Sequence, residues 1–89
     1  MAHMIIRHKV KDFGKWKNAF DEHRPVREAA GLEDLHVWRN IDDPNEVIIL
    51  FCADELGKAR DFAGDSGLKE KMQAAGVQGM PEFVYLDEA

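Results

Sequence analysis

"EVIILFCA", residues 46–53, decides the fold. Successive side chains of a strand point to opposite faces. A strand covered on one face therefore alternates apolar and polar residues, and Val47 to Cys52 do not alternate. A run apolar on both faces needs cover on both. The preceding "DDPN", residues 42–45, is turn chemistry, because Pro presets one dihedral and Asp and Asn bond back to the backbone. Before it, "DLHVWRNI", residues 34–41, alternates well enough for a second strand. Two strands joined by so short a loop read as an antiparallel hairpin.

A strand is expected over residues 4–10 on one side of this hairpin, and a helix follows it. Asp12 suits its N-cap. Phe13, Trp16, Phe20, His23, Arg27 and Ala30 recur at helical spacing, and Gly31 supplies the stop. Pro25 removes a hydrogen bond and clashes with the preceding turn, so a kink or break is expected near Arg24. On the other side, Asp54 is expected to cap a helix carrying Leu56, Ala59, Phe62 and Ala63. "GDSG", residues 64–67, interrupts it, and Asp65 or Ser66 recaps a last piece ending at Gly76. A final strand is expected over residues 82–87.

The order β-α-β-β-α-β is that of an α+β ferredoxin-like plait: a four-stranded antiparallel sheet with two helices on one face. Two helices cover only one face, and 89 residues leave nothing for the other. The apolar run therefore predicts a homodimer packed through its sheet faces. The length implies one domain, residues 4–87, with residues 1–3 before the second methionine read as a cloning remnant.

Composition excludes several classes of partner. Net charge is −5, with acidic and basic residues mixed, which argues against nucleic acid. No apolar stretch reaches the ~20 residues of a membrane helix. No signal peptide is evident, so a cytoplasmic protein is expected. A single cysteine, Cys52, excludes an intrachain disulfide or cysteine metal cluster. No H-x-x-x-H spacing occurs, so no metal centre is expected. Walker, dinucleotide, nucleophile-elbow and CxxC motifs are also missing, so no cofactor is expected.

The side chains that carry chemistry follow from the strand faces. If Ile41 pairs with Glu46, Trp38 opposes Ile49 and His36 opposes Phe51. Leu35, Val37, Ile48 and Leu50 then suit the helix side. His36, Trp38, Val47, Ile49 and Phe51 suit the second face; a one-residue slip reverses the assignment. With Ile6, His8 and Val10 toward the helices, Arg7 joins the second face, as an anion anchor or as an ion pair with a carboxylate. His8 is a general base or a histidine satisfied inside the helix–sheet layer. His23 shares the aromatic helical stripe and is expected to meet His8. Trp38 and Tyr85 suit an aromatic cavity lining and a dimer interface equally. The "DEHRPVR" run, residues 21–27, reads as a solvated helix face.

The layout and the motifs "RHKVKDFGKWKNAFDEH" (7–23), "RNIDDPNEVIILF" (39–51) and "GMPEFVYL" (79–86) resemble small bacterial proteins of the dimeric α+β barrel superfamily. Within it, the likeness is to antibiotic biosynthesis monooxygenase-like and cyclase-like sequences. The resemblance covers nearly the whole chain. It implies a homodimer, and an enzyme oxygenating or cyclising an aromatic, polyketide-like molecule without a cofactor. Its quinone-forming members hold a polycyclic phenol with Trp, Tyr, Asn and Arg side chains. Trp38, Arg39, Asn40 and Tyr85 are matching types here. In that reading His8 or His36 moves the proton, and Arg7 or Arg39 holds an oxyanion. Trp38, Phe51, Tyr85 and His23 would line the substrate. The superfamily also contains haem-degrading proteins with a histidine ligand on a helix, where His23 lies, and proteins that bind ligands or respond to stress without catalysis.

Overall fold

The computed structural model describes residues 2–89. Its elements are β1 (Ala2–Val10), α1 (Phe13–Glu22), α2 (Arg24–Ala29), β2 (Leu32–Arg39), β3 (Glu46–Ala53), α3 (Leu56–Ala63), α4 (Ser66–Ala74) and β4 (Val77–Asp87). The four strands form one antiparallel sheet in the order β2-β3-β1-β4. This is the ferredoxin-like α+β arrangement, with each expected helix broken in two.

The breaks have local causes. Asp12 accepts from the Lys15 amide at 3.1 Å and starts α1. His23 ends α1 and begins α2, and Pro25 stands in the first turn of α2, where its missing N–H costs nothing. Gly31 closes α2 at φ +77°, a backbone region that other residues rarely adopt. Asp65 caps α4 by accepting from the Gly67 amide at 2.8 Å. Asp54 does not cap α3. Glu55 holds that position without a side-chain bond, and the Asp54 amide instead donates to the Gly31 carbonyl at 3.0 Å. The last strand begins five residues earlier than expected. Pro81 is tolerated within it because β4 is an edge strand.

The register corrects the face assignment. Trp38 pairs with Ile48, not Ile49, and His36 with Leu50, not Phe51. A bulge between Asp34 and His36 shifts the first half of β2 relative to the second. Val47, Ile49 and Phe51 therefore face the helices, beside Met4, Ile6 and His8 of β1. They join Trp16, Leu32 and Ala59 in the core. Val37 faces the same way, as expected, whereas Ile48 and Leu50 do not.

The other sheet face has no helix over it. It carries Ile5, Ile48, Leu50 and Cys52 at its centre. Trp38, Val84 and Leu86 lie around them, 46%, 40% and 38% exposed. His36 stacks on Trp38 there, ring centroids 4.8 Å apart. No helix among the described residues is long and apolar enough to cross a membrane.

Candidate functional site: a histidine in an aromatic cavity

Between the helices and the sheet lies a cavity of about 70 Å³, counted as room for the centres of water molecules. The sheet supplies Ile6, His8, Ile49 and Phe51. α1 and the break after it supply Trp16, Ala19, Phe20 and His23. Arg27 of α2, and Phe62, Leu68, Lys71 and Met72 of α3 and α4, complete the wall. The aromatic stripe of α1 makes this lining possible. Phe13, Trp16 and Phe20 follow one another with centroids 5.7 and 4.9 Å apart, and Phe20 reaches Phe51 at 6.4 Å.

His8 is the chemically distinctive member. It is 5% exposed, and neither ring nitrogen has a hydrogen-bond partner among the described residues. Its ring stands edge-on to Trp16, centroids 5.4 Å apart. Burial disfavours the imidazolium and lowers its pKa from 6.5 to about 4. At neutral pH the ring is therefore uncharged, with one N–H donor and one bare nitrogen acceptor. Buried polar atoms normally find partners, and leaving one unpaired costs about 1–3 kcal/mol. A ligand or a buried water molecule bonded to the ring would relieve that cost.

His23 lines the same cavity, as the helical stripe predicted. Partial burial lowers its pKa, the charges of Lys71 and Arg27 lower it further, and Glu22 opposes them. Among the described residues no group of three or more His, Cys, Asp or Glu side chains converges as a metal site would require.

Arg27 was missed as a buried residue. Its place in the helical stripe was the available signal, but the surrounding charges made the segment look solvated. Its side chain is only 4% exposed. Nε and Nη2 donate to the two Asp34 oxygens at 2.9 and 2.8 Å, and Nη1 donates to the Phe20 carbonyl at 2.6 Å. The guanidinium also lies 3.6 Å from the Phe20 ring centroid. This fork locks α2 to β2 and fixes the Phe20 wall.

The remaining sequence candidates are elsewhere. Arg7 lies on the open sheet face, where Nε donates to Glu46. Asn40 also donates to Glu46, at 3.0 Å, and the two bonds hold its carboxyl below the usual range. Arg39 donates to the Pro44 carbonyl at 2.9 Å and covers the Phe13 ring at 4.1 Å. Tyr85 pairs with Met4 on the helix side, under Arg60, outside the cavity lining. His36 and Trp38 stay on the open face. The structure therefore brings together His8, His23 and Phe51, and leaves Arg7, His36, Trp38, Arg39 and Tyr85 outside.

A Bordetella bronchiseptica structure described as a "putative antibiotic biosynthesis monooxygenase" superimposes with a TM-score of 0.78. Identity is 14%, over 99% of this chain and 96% of that one. The chain has the fold of the antibiotic biosynthesis monooxygenase-like proteins. Among them is SnoaB of Streptomyces nogalater, a cofactor-independent oxygenase, with a TM-score of 0.74 and 13% identity over 99% of this chain and 92% of its own. A Caulobacter crescentus structure carrying the same description as the Bordetella one gives 0.73 at 16% identity, over 99% of this chain and 89% of that one. No family model matches the sequence, and no curated protein matches it.

Proposed function

We propose that the chain is a cofactor-independent monooxygenase acting on a phenolic or enolisable aromatic held in the helix–sheet cavity. The observation that carries this reading is His8: buried, uncharged and unpartnered, at an aromatic-lined cavity. The likeness to SnoaB, named as a cofactor-independent oxygenase, supports it.

The chemistry follows from the side chain. The bare nitrogen of His8 accepts the proton of a substrate O–H or activated C–H, while Trp16 and Phe20 keep water from the ring. An anion formed beside the imidazole favours its protonated form, so the proton transfer and the pKa rise together. The resulting carbanion is electron-rich enough to reduce O₂. In the balanced reaction a ring CH₂ becomes C=O, one oxygen atom entering the product and the other leaving as water. Residues outside the cavity take no part in this step.

The protein is further proposed to act as a homodimer paired through the open sheet face, in the cytoplasm. The half-buried Ile5, Ile48 and Leu50, ringed by the exposed Trp38, Val84 and Leu86, support the pairing, because monomers rarely expose a contiguous apolar patch of that kind.

Anthrone is a suitable probe, since its oxidation to anthraquinone consumes one O₂ and releases one water. Turnover above buffer, followed by oxygen uptake and quinone absorbance, is expected and should fall at least about 100-fold in His8→Leu, the lower range for loss of a general base. Tight binding without turnover would favour a ligand-binding dimer instead.

A further inference from the structure

The charged side chains that line the cavity are all basic, and Glu22 lies near enough to act on His23 from outside the lining. None of its lining residues is Asp or Glu, although the chain carries 17 acidic against 12 basic residues. The charged members are Arg27 and Lys71. Asp34 already takes both ends of the Arg27 fork. Lys71 is exposed on α4 and makes no ion pair among the described residues. Its charge is felt at His23, the other polar group on this side of the cavity. The cavity thus offers an apolar, aromatic interior, an uncharged His8, and a cation with no ion-pair partner among the described residues.

We propose that the site selects aromatic ligands bearing an acidic group. The anion sits beside Lys71 and His23, and the ring lies among Trp16, Phe20 and Phe51. The inference deepens the function proposed above and rests on the cavity being the ligand site. It adds a substrate class: an aryl carboxylic acid in preference to its neutral analogue. Lys71 is a point charge on a flexible stem, which suits a carboxylate presented at varied angles. His23 adds a donor next to it.

The test uses matched neutral and anionic probes on the full chain: 2-naphthoate against 2-naphthamide, with benzoate and benzamide as the one-ring pair. Affinity is read by NMR titration at pH 7.5, with the Trp16 indole N–H resonance reporting that the probe occupies this cavity. Each acid is expected to bind about fivefold tighter than its amide, the upper end for a partly exposed ion pair. The preference should shrink in 0.5 M salt through screening. Lys71→Met should bring each acid down to the affinity of its amide, and Lys71→Glu should lower it further. Equal binding of acid and amide with a shifted Trp16 signal would overturn the anion preference and leave the cavity reading standing. A preference that survives Lys71→Met unchanged would overturn the placement of the anion beside Lys71. If no probe moves the Trp16 signal, the cavity reading itself falls and takes this inference with it.

Discussion

His8 makes stability depend on pH in a way that one substitution should erase. Its pKa is about 4 when folded, against an ordinary 6.5 when unfolded. The unfolded chain therefore binds more protons between those values, and stability falls as pH drops through that window. The stability is intact above pH 6.5 and is lost progressively toward pH 4. A gap of 2.5 pH units from the shift of 6.5 to about 4 corresponds to about 3 kcal/mol. Few marginally stable small domains can absorb such a loss. His8→Leu removes the titrating group and fills the space with apolar atoms. Urea unfolding of both proteins at pH 7.5, 6.5, 5.5 and 4.5, at one fixed protein concentration, measures the difference. The variant should be at least as stable at pH 7.5, because an unsatisfied buried ring has gone. Its advantage should then widen as pH falls, by about 2–3 kcal/mol at pH 4.5. His23 and the carboxylates titrate in both proteins and cancel in the comparison. Parallel curves would refute the argument, showing that the imidazole is solvated or paired in the folded state.

The other expectations concern separate parts of the molecule. Arg27→Ala leaves the Asp34 carboxylate mostly buried, and should cost about 3–5 kcal/mol in urea unfolding; Arg27→Met with Asp34→Leu should recover most of that loss. Ile48→Asp on the open sheet face should halve the light-scattering mass, from twice 10.1 kDa to 10.1 kDa; a wild-type protein already at 10.1 kDa would end the dimer proposal. Oxygen uptake with anthrone should respond to His8→Leu and be indifferent to Arg39→Gln, whose side chain lies over Phe13 outside the cavity lining.

Sequence reasoning carried the fold because the fold depends on periodicity and punctuation. The unbroken apolar run of β3, Pro25, and the stops at Gly31 and Gly76 are local signals with local consequences. The faces of the hairpin were a different matter. Their assignment depended on which residue meets Glu46, and the Asn40 amide rather than Ile41 donates to the Glu46 carbonyl, at 2.9 Å. An irregularity at Leu35 leaves no mark in composition. Arg27 shows a second limit. Neighbouring charges on one segment suggested solvation, whereas burial was settled by Asp34, a partner seven residues away on another element. His8 and His23 were legible as a pair lining one layer because each sits on a strongly periodic stretch.

The bulge at Leu35 acts as a parity switch. In a regular strand, residues two apart share a face, so Asp34, His36 and Trp38 would all point the same way. One extra residue puts Asp34 with the helices, where Arg27 needs it, and His36 and Trp38 on the open face. Straightening the strand with Leu35 kept in the ladder would restore even counting and force a choice. The strand would have to carry its acid out of the core, or carry a histidine and a tryptophan into it. The length of β2, no less than its composition, therefore separates the cavity's supports from the surface proposed to meet a second copy.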